Sequence, residues 1–400
     1  MKIAEINTCH YGSTGKIMLN IANVSEEQGH EVKTFSRAWK GQVIDRENHK
    51  FFGNFPNNVI HRVFGPITGR EGCFSRSGTK ALINDLKLFS PEIIHLHNLH
   101  GWYINLPLLF DYIKTNNIRV IWTLHDCWAF TGHCPHFVIA KCDKWKTGCH
   151  HCPQPRVYPK MYLDTSKKMY ELKKKWFCDI ENMTIVTPSQ WLGDLVKQSY
   201  LKDYPVKVIN NGIDLSVFKP TVSDFREKYG LQDKKILLGV ASSWSNGKGI
   251  DVFVELAKRL NESYRIVLVG LDRSATPDLP DNIIAIKRTD NQAQLAEIYT
   301  ASNLFVNPTR EDTYPTVNME ALACGTPVLT FRTGGSPEII DESCGSVVDV
   351  NDVDSMEREI IRICEDKPYT KEACLERARS FNMNDRFEEY VKLYEEVFIK

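Results

Sequence analysis

Four hundred residues exceed what one hydrophobic core usually supports, so two or three domains are expected. Fifty basic side chains balance fifty acidic ones, which gives no global field for nucleic acid; any anion site has to be local. No apolar run approaches the ~20 residues of a bilayer crossing, and Met1-Lys2-Ile3-Ala4-Glu5-Ile6 is not a charged-then-apolar leader. A cytoplasmic protein with reduced thiols is the expectation.

Short β-branched runs alternate with longer amphipathic stretches, the pattern of parallel sheets with crossover helices. The first half predicts strands at Lys2–Asn7, Glu31–Ser36, Glu92–Asn98, Val120–Leu124, Thr184–Thr187 and Val206–Asn210. The second half predicts them at Lys235–Ala241, Tyr264–Gly270, Ile283–Lys287, Leu304–Asn307, Pro327–Phe331 and Ser346–Asp349. The expected fold class is therefore α/β, two Rossmann-like doubly wound domains with a ligand at the carboxyl ends of their strands. The turn-rich Asn211-Gly212-Ile213-Asp214 marks the junction. Residues 1–212 form the first domain, residues 213–384 the second, and a closing helix over 385–400 is expected to return to the first.

After the first strand, "NTCHYGSTGKIMLNIA" opens a helix through a glycine turn, where backbone can approach a phosphate. It is neither a P-loop nor G-x-G-x-x-G, because His10 stands where the first glycine belongs. His95, His97 and His100 close one strand and His125-Asp126 the next; internal hydrogen bonding and a metal pair are both open readings. Trp102, Tyr103, Trp128 and Phe130 offer either a stacking surface for a glycan or core.

An insert at 127–153 holds Cys134, Cys142, Cys149 and Cys152, ending in a C-x2-C pair. That spacing suits a closed structural zinc site with no catalytic role. Buried thiols, disulfides or an iron–sulfur cluster are the alternatives, and His133, His136, His150 or His151 could replace a cysteine. The insert has little periodic apolar pattern of its own, so metal is expected to supply what a core does not. Further on, "KKMYELKKKW" (Lys167–Trp176) is a basic helix, either a solvated face or a contact for anionic head groups.

In the second half, strand Leu304–Asn307 leads into "NPTREDTYPTVNMEALACGTPVL". Pro315 precedes a helix that Gly325 and Pro327 end, leaving N–H groups near Thr316, Val317 and Asn318 as an anion site, with Asp312 and Glu320 on either side. Lys248, near another helix start, is unfavourable to the helix dipole and calls for an anion.

With "GVASSWSNGKGID", "VLVG", "TGGSPEII", "NNGID", "TPSQW" and "DLKLFSPEIIHLHNLHG" in order along the chain, this stretch resembles the retaining glycosyltransferases of family 4, which have the GT-B fold. The resemblance implies transfer of a sugar from a UDP- or GDP-sugar donor to a glycan or lipid-linked acceptor in exopolysaccharide, capsule or lipopolysaccharide assembly. Metal-independent catalysis is expected, and the basic stretch Lys167–Trp176 leaves peripheral contact with the inner face of the plasma membrane as one open reading. Glu320 would take the donor ribose, Asp312 a hydroxyl of the transferred sugar, and Lys248 the diphosphate. Amides near Thr316, Val317 and Asn318, and the loop with Gly12, Ser13 and Gly15, would also hold the diphosphate, while His125 would face the sugar. Two departures stand out. The first carboxylate is Asp312 rather than Glu, with Glu311 beside it. Ser242, Ser243 and Trp244 occupy the place where many members have an arginine, which leaves Arg310 or Arg332 as candidates to supplement Lys248. A non-catalytic zinc-stabilised binding protein and a Rossmann oxidoreductase are the competing functions; the failed G-x-G-x-x-G opposes the latter.

Overall fold

The computed structural model describes residues 1–38, 43–53, 55–276 and 278–399. The chain divides into two compact units, one of Met1–Asn210 plus the stretch from Arg386, the other of Asn211–Asp385.

The first unit holds β1 (Lys2–Asn7), β2 (Glu31–Arg37), β3 (His49–Phe52), β4 (Ile93–Leu96), β5 (Arg119–Thr123), β6 (Met183–Thr187) and β7 (Val206–Val208). All pairs are parallel, in the order β3-β2-β1-β4-β5-β6-β7. Every residue of β4 and β6 is buried, because crossover helices cover both faces. On one face the Phe177 ring lies 4.7 Å from Phe110 and 4.8 Å from Trp122. The strand order reverses between β1 and β4, which opens a crevice at their carboxyl ends. Strand β3 was not legible in the sequence. It is a four-residue edge strand, and His49 on it is held by the hydroxyls of Thr34 and Ser36 on β2. The pairing that makes it a strand is long-range.

The second unit holds β8 (Lys235–Val240), β9 (Tyr264–Val269), β10 (Ile283–Ile286), β11 (Leu304–Asn307), β12 (Val328–Phe331) and β13 (Gly345–Val348), ordered β10-β9-β8-β11-β12-β13 and all parallel. Alternation along β8 sends Ile236 and Leu238 into one apolar layer and Leu237 into the other. The switch here lies between β8 and β11. Two doubly wound α/β sheets are therefore what the chain forms.

The closing helix, Met383–Ile399, buries Tyr390 and Tyr394 against the first unit's sheet, to which its residues from 386 belong. No helix among the described residues is long and apolar enough to cross a membrane.

The cysteine-rich insert differs from expectation. Its aromatic residues join the core of the first unit, with Trp145 almost fully buried and its ring 4.9 Å from Phe137 and 5.3 Å from Phe130. The basic helix Ser166–Phe177 is anchored to it by a fully buried Lys173. The Lys173 ammonium donates to the carbonyls of Trp128 and Thr131 and lies 3.6 Å from the centre of the Trp128 ring. Burial draws its pKa down to about 7.

Candidate active site

In the second unit, three loops meet where β8, β11 and β12 end. The stretch after β8 carries Lys248 on a single 3-10 turn, Asn246–Lys248, closed by Gly249 at φ 76°. A Cβ at Gly249 would lie 2.5 Å from the carbonyl oxygen of Pro308, so only glycine lets this turn reach the segment after β11. The amide of Arg310 donates to the carbonyl of Gly247 at 2.9 Å and stitches the two loops together. From β12, Gly334 at φ 53° lies so close that a Cβ would stand 1.6 Å from the Asp312 carbonyl oxygen.

The outcome is one cluster. The Lys248 ammonium donates to Asp312 Oδ2 at 2.7 Å, with both side chains partly open to solvent. Beyond Asp312, Pro315 starts the helix Thr316–Ala323 with no side-chain cap. The first amides of this helix, Thr316 and Val317, carry its positive end. Asn318 plays a different part: its amide donates to Pro315, and its buried side-chain carbonyl accepts from Asn307 at 2.8 Å, fastening the helix to β11. Glu320, one turn in, accepts a 3.1 Å bond from the Tyr299 hydroxyl. That tyrosine is buried, and its role is hidden in the sequence because its helix reads as ordinary core.

Arg310 is committed elsewhere. Its guanidinium makes two 2.8 Å bonds to Asp251 and another to Asn351, so it braces the loops rather than reaching outward. Arg332 pairs with Asp349 at 3.1 Å on the surface. Lys248 is the cation bonded to Asp312.

In the first unit, the loop after β1 runs into the helix Gly12–Glu27, whose N-terminus has no side-chain cap. Gly12 and Ser13 are exposed and Gly15 is buried against the loop. The segments after β4 and β5 carry the histidines. His97 Nδ1 lies 3.1 Å from His125 Nε2, with the two rings stacked at 13°. Burial pulls His125 down to about 4, against the opposing pull of Asp126. His100 pairs with Asp126 at 2.8 Å. Burial raises the Asp126 pKa, but the charge and hydrogen bond of His100 outweigh it and hold the group at about 2. Of the four aromatic residues read as a possible glycan surface, Tyr103, Trp128 and Phe130 are core; Trp102 alone is part-exposed, edge-on to Tyr158 at 5.4 Å.

Cys134, Cys142, Cys149 and Cys152 are free thiols lining one small cavity with His133, Lys144 and Gln154. The Gly132 amide donates to Cys149 Sγ at 3.1 Å. Burial pushes the Cys134 thiol to about 12 and Cys149 to about 11. Among the described residues, the one set of three metal-type donors within 4.8 Å of one another is Glu5, His95 and His97, not the cysteines.

Comparison with known proteins bears on the fold and the family. Residues 222–381 match the model for glycosyl transferases group 1, and residues 14–217 match that for glycosyltransferase family 4. An Escherichia coli (strain K12) protein bearing the name of a colanic acid biosynthesis glycosyl transferase, WcaC, is 25% identical over 96% of this chain and 90% of its own. Sucrose-phosphate synthase from Thermosynechococcus elongatus superposes with a TM-score of 0.75 at 18% identity, covering 100% of this chain and 99% of that one. Anabaena Alr3699/HepE, solved in complex with UDP, superposes at 0.70 with 13% identity, covering 99% of this chain and 100% of its own. With more than half of its length matched by the second model, the chain belongs to glycosyltransferase family 4 and has the GT-B fold.

Proposed function

We propose that this glycosyltransferase moves a sugar from a nucleoside-diphosphate sugar to a glycan or lipid-linked acceptor in surface-polysaccharide assembly, with retention at the anomeric carbon. The observation that carries the reading is the convergence of Lys248, Asp312, Glu320 and the uncapped Thr316 and Val317 amides at the strand-order switch of the second unit.

Breaking the sugar–phosphate bond builds negative charge on the leaving oxygen and positive charge on the sugar. Fixed donors aimed at the leaving diphosphate are the largest available catalytic effect. In this reading Lys248 and the helix amides bind the diphosphate, as do the Gly12, Ser13 and Gly15 loop amides; Glu320, oriented by Tyr299, takes the ribose hydroxyls. Asp312 holds a hydroxyl of the transferred sugar, and His125 faces that sugar. The leaving phosphate takes the acceptor hydroxyl's proton as the acceptor attacks on the same face. The polysaccharide role is supported by the name of the E. coli relative, and a UDP donor by the HepE complex. Screening UDP- and GDP-sugars for nucleoside-diphosphate release tests this: release with one of them is expected, and none across the screen refutes it.

The four cysteines are proposed to hold structural zinc. Four thiols around one cavity form a suitable donor set, and the Gly132 N–H supports a thiolate at Cys149. No three of the four sulfurs lie within 4.8 Å of one another, so the ring would have to close further to hold an ion. Protein purified without chelator is expected to carry one equivalent of zinc. Stripping it lowers Tm and weakens acceptor use before donor affinity; a metal-free protein of unchanged Tm and activity contradicts the assignment.

For contact with a membrane bearing the acceptor, Lys167, Lys168, Lys174 and Lys175 are exposed on the helix Ser166–Phe177, while Met169, Tyr170 and Phe177 are buried. The attraction in this reading is electrostatic and weakens with salt.

A further inference from the structure

Behind His125 lies a buried polar array that sugar transfer, as described above, leaves unused. Glu5 sits mid-strand on β1, fully buried, in register with His95 on β4. Its Oε2 is 3.4 Å from His97 Nε2, and its Oε1 has no hydrogen-bond partner among the described residues. His97 in turn reaches His125 through Nδ1. Neighbouring His95 is spoken for, its Nδ1 2.7 Å from the Tyr394 hydroxyl and its Nε2 2.8 Å from Thr123. A cation claiming Glu5, His95 and His97 together has to displace one of those hydroxyls. A hydrogen-bonded line through Glu5, His97 and His125 therefore accounts for the cluster better than a metal does.

We propose that Glu5 and His97 are positioning residues that fix the tautomer of His125, so that its Nδ1 carries the hydrogen offered toward the transferred sugar. This rests on the reading that His125 faces that sugar. The chemistry is a matter of counting protons. With Glu5 protonated, its O–H donates to His97 Nε2, His97 donates from Nδ1 to His125 Nε2, and the His125 proton must sit on Nδ1. With Glu5 ionised, His97 donates from Nε2 to the carboxylate and its Nδ1 accepts from His125 Nε2–H. Nδ1 of His125 then holds a lone pair. Removal of one proton at Glu5 reverses both rings.

The surroundings favour the first arrangement. Among the described residues no lysine or arginine ion pair reaches Glu5; His97 is its one charged-type partner. Burial pushes the Glu5 carboxyl well above its usual range, with distant Arg46 opposing and Glu26 adding. The groups around it are His95 across the strand pair and Tyr390 and Tyr394 from the closing helix, and burial raises both tyrosines. His97 is held well below its usual value by burial and by His95 and His125, and His125 is further flanked by Asp126 and His100. All three imidazoles are neutral at pH 7, so no ring charge offsets an ionised Glu5.

The test combines a substitution series with a direct view of the ring. Glu5→Gln keeps a donor toward His97 Nε2 and is expected to retain turnover within about threefold. Glu5→Leu and His97→Phe remove the line, and a loss of roughly tenfold or more in kcat is expected, the scale seen when a partner behind an active-site imidazole is removed. Any fall in wild-type kcat at alkaline pH that comes from ionising Glu5 disappears in Glu5→Gln. Nitrogen-15 NMR of histidine-labelled wild type, with the His125 signals assigned by their loss in His125→Gln, is expected to show His125 protonated at Nδ1. Protonation at Nε2, or equal activity of Glu5→Leu and Glu5→Gln when both are folded, overturns the proposal. Full activity of His125→Ala refutes instead the reading that His125 serves the sugar, and leaves the NMR result to judge the tautomer alone.

Discussion

Replacing Lys248 with alanine is expected to abolish detectable sugar transfer while leaving the protein folded. Its ammonium is partly exposed and bonded to Asp312, so the fold loses little when it goes. Catalysis loses the side-chain cation proposed to meet the leaving diphosphate, and Arg310, bound to Asp251, and Arg332, bound to Asp349, do not replace it. Removing one preorganised donor to a developing anion costs about 10²–10³ in rate. Here Asp312 also loses its counter-charge, which adds repulsion against the diphosphate. Glu320→Ala is expected to be comparably severe, with a larger rise in donor KM, since it removes the carboxyl held by Tyr299 and proposed to take the ribose hydroxyls. Thermal unfolding and donor turnover of the two variants check this: near-normal turnover in both contradicts the assigned site, and a collapsed Tm in both shows that the residues are structural.

The second large effect is at Gly334. Alanine there has to place a methyl group 1.6 Å from the Asp312 carbonyl oxygen and adopt a left-handed backbone. The backbone conformation alone costs about 1–3 kcal/mol, and the contact forces the loop after β12 away from the one holding Asp312. Asp312 then leaves Lys248, so kcat/KM is expected to fall by roughly tenfold or more, as misplacement of a positioning group does. Donor turnover and Tm of Gly334→Ala are the measurements. A loss of Tm with kcat/KM intact separates a merely structural glycine from one that places the carboxylate.

Much of this architecture was legible because the central strands are buried on both faces and therefore read as apolar β-branched runs. β11, Leu304–Asn307, falls where the pattern placed it, and the helix after it starts at Thr316 and stops before Gly325, as Pro315 and the glycine dictate. β3 stayed hidden because four residues, His49–Phe52, carry no periodicity and depend on β2.

At the site, spacing revealed which carboxylates to watch but not what holds them. Glu320's partner Tyr299 lies 21 residues away on another helix. Arg310 looked like a spare cation because nothing in the sequence shows its pairing with Asp251 59 residues earlier. Glu5 was open to notice, since an acid inside an otherwise apolar parallel strand has to be paired or neutral. The signal was there in "KIAEIN"; its meaning came only with His97 beside it.

The most direct test follows the anomeric proton signals by NMR while the protein hydrolyses the UDP- or GDP-sugar it accepts. An α-linked donor is expected to release α-sugar first, with β-sugar appearing only at the rate of mutarotation. First appearance of β-sugar contradicts retention, and no release of sugar from any donor in the screen contradicts the account of the site itself.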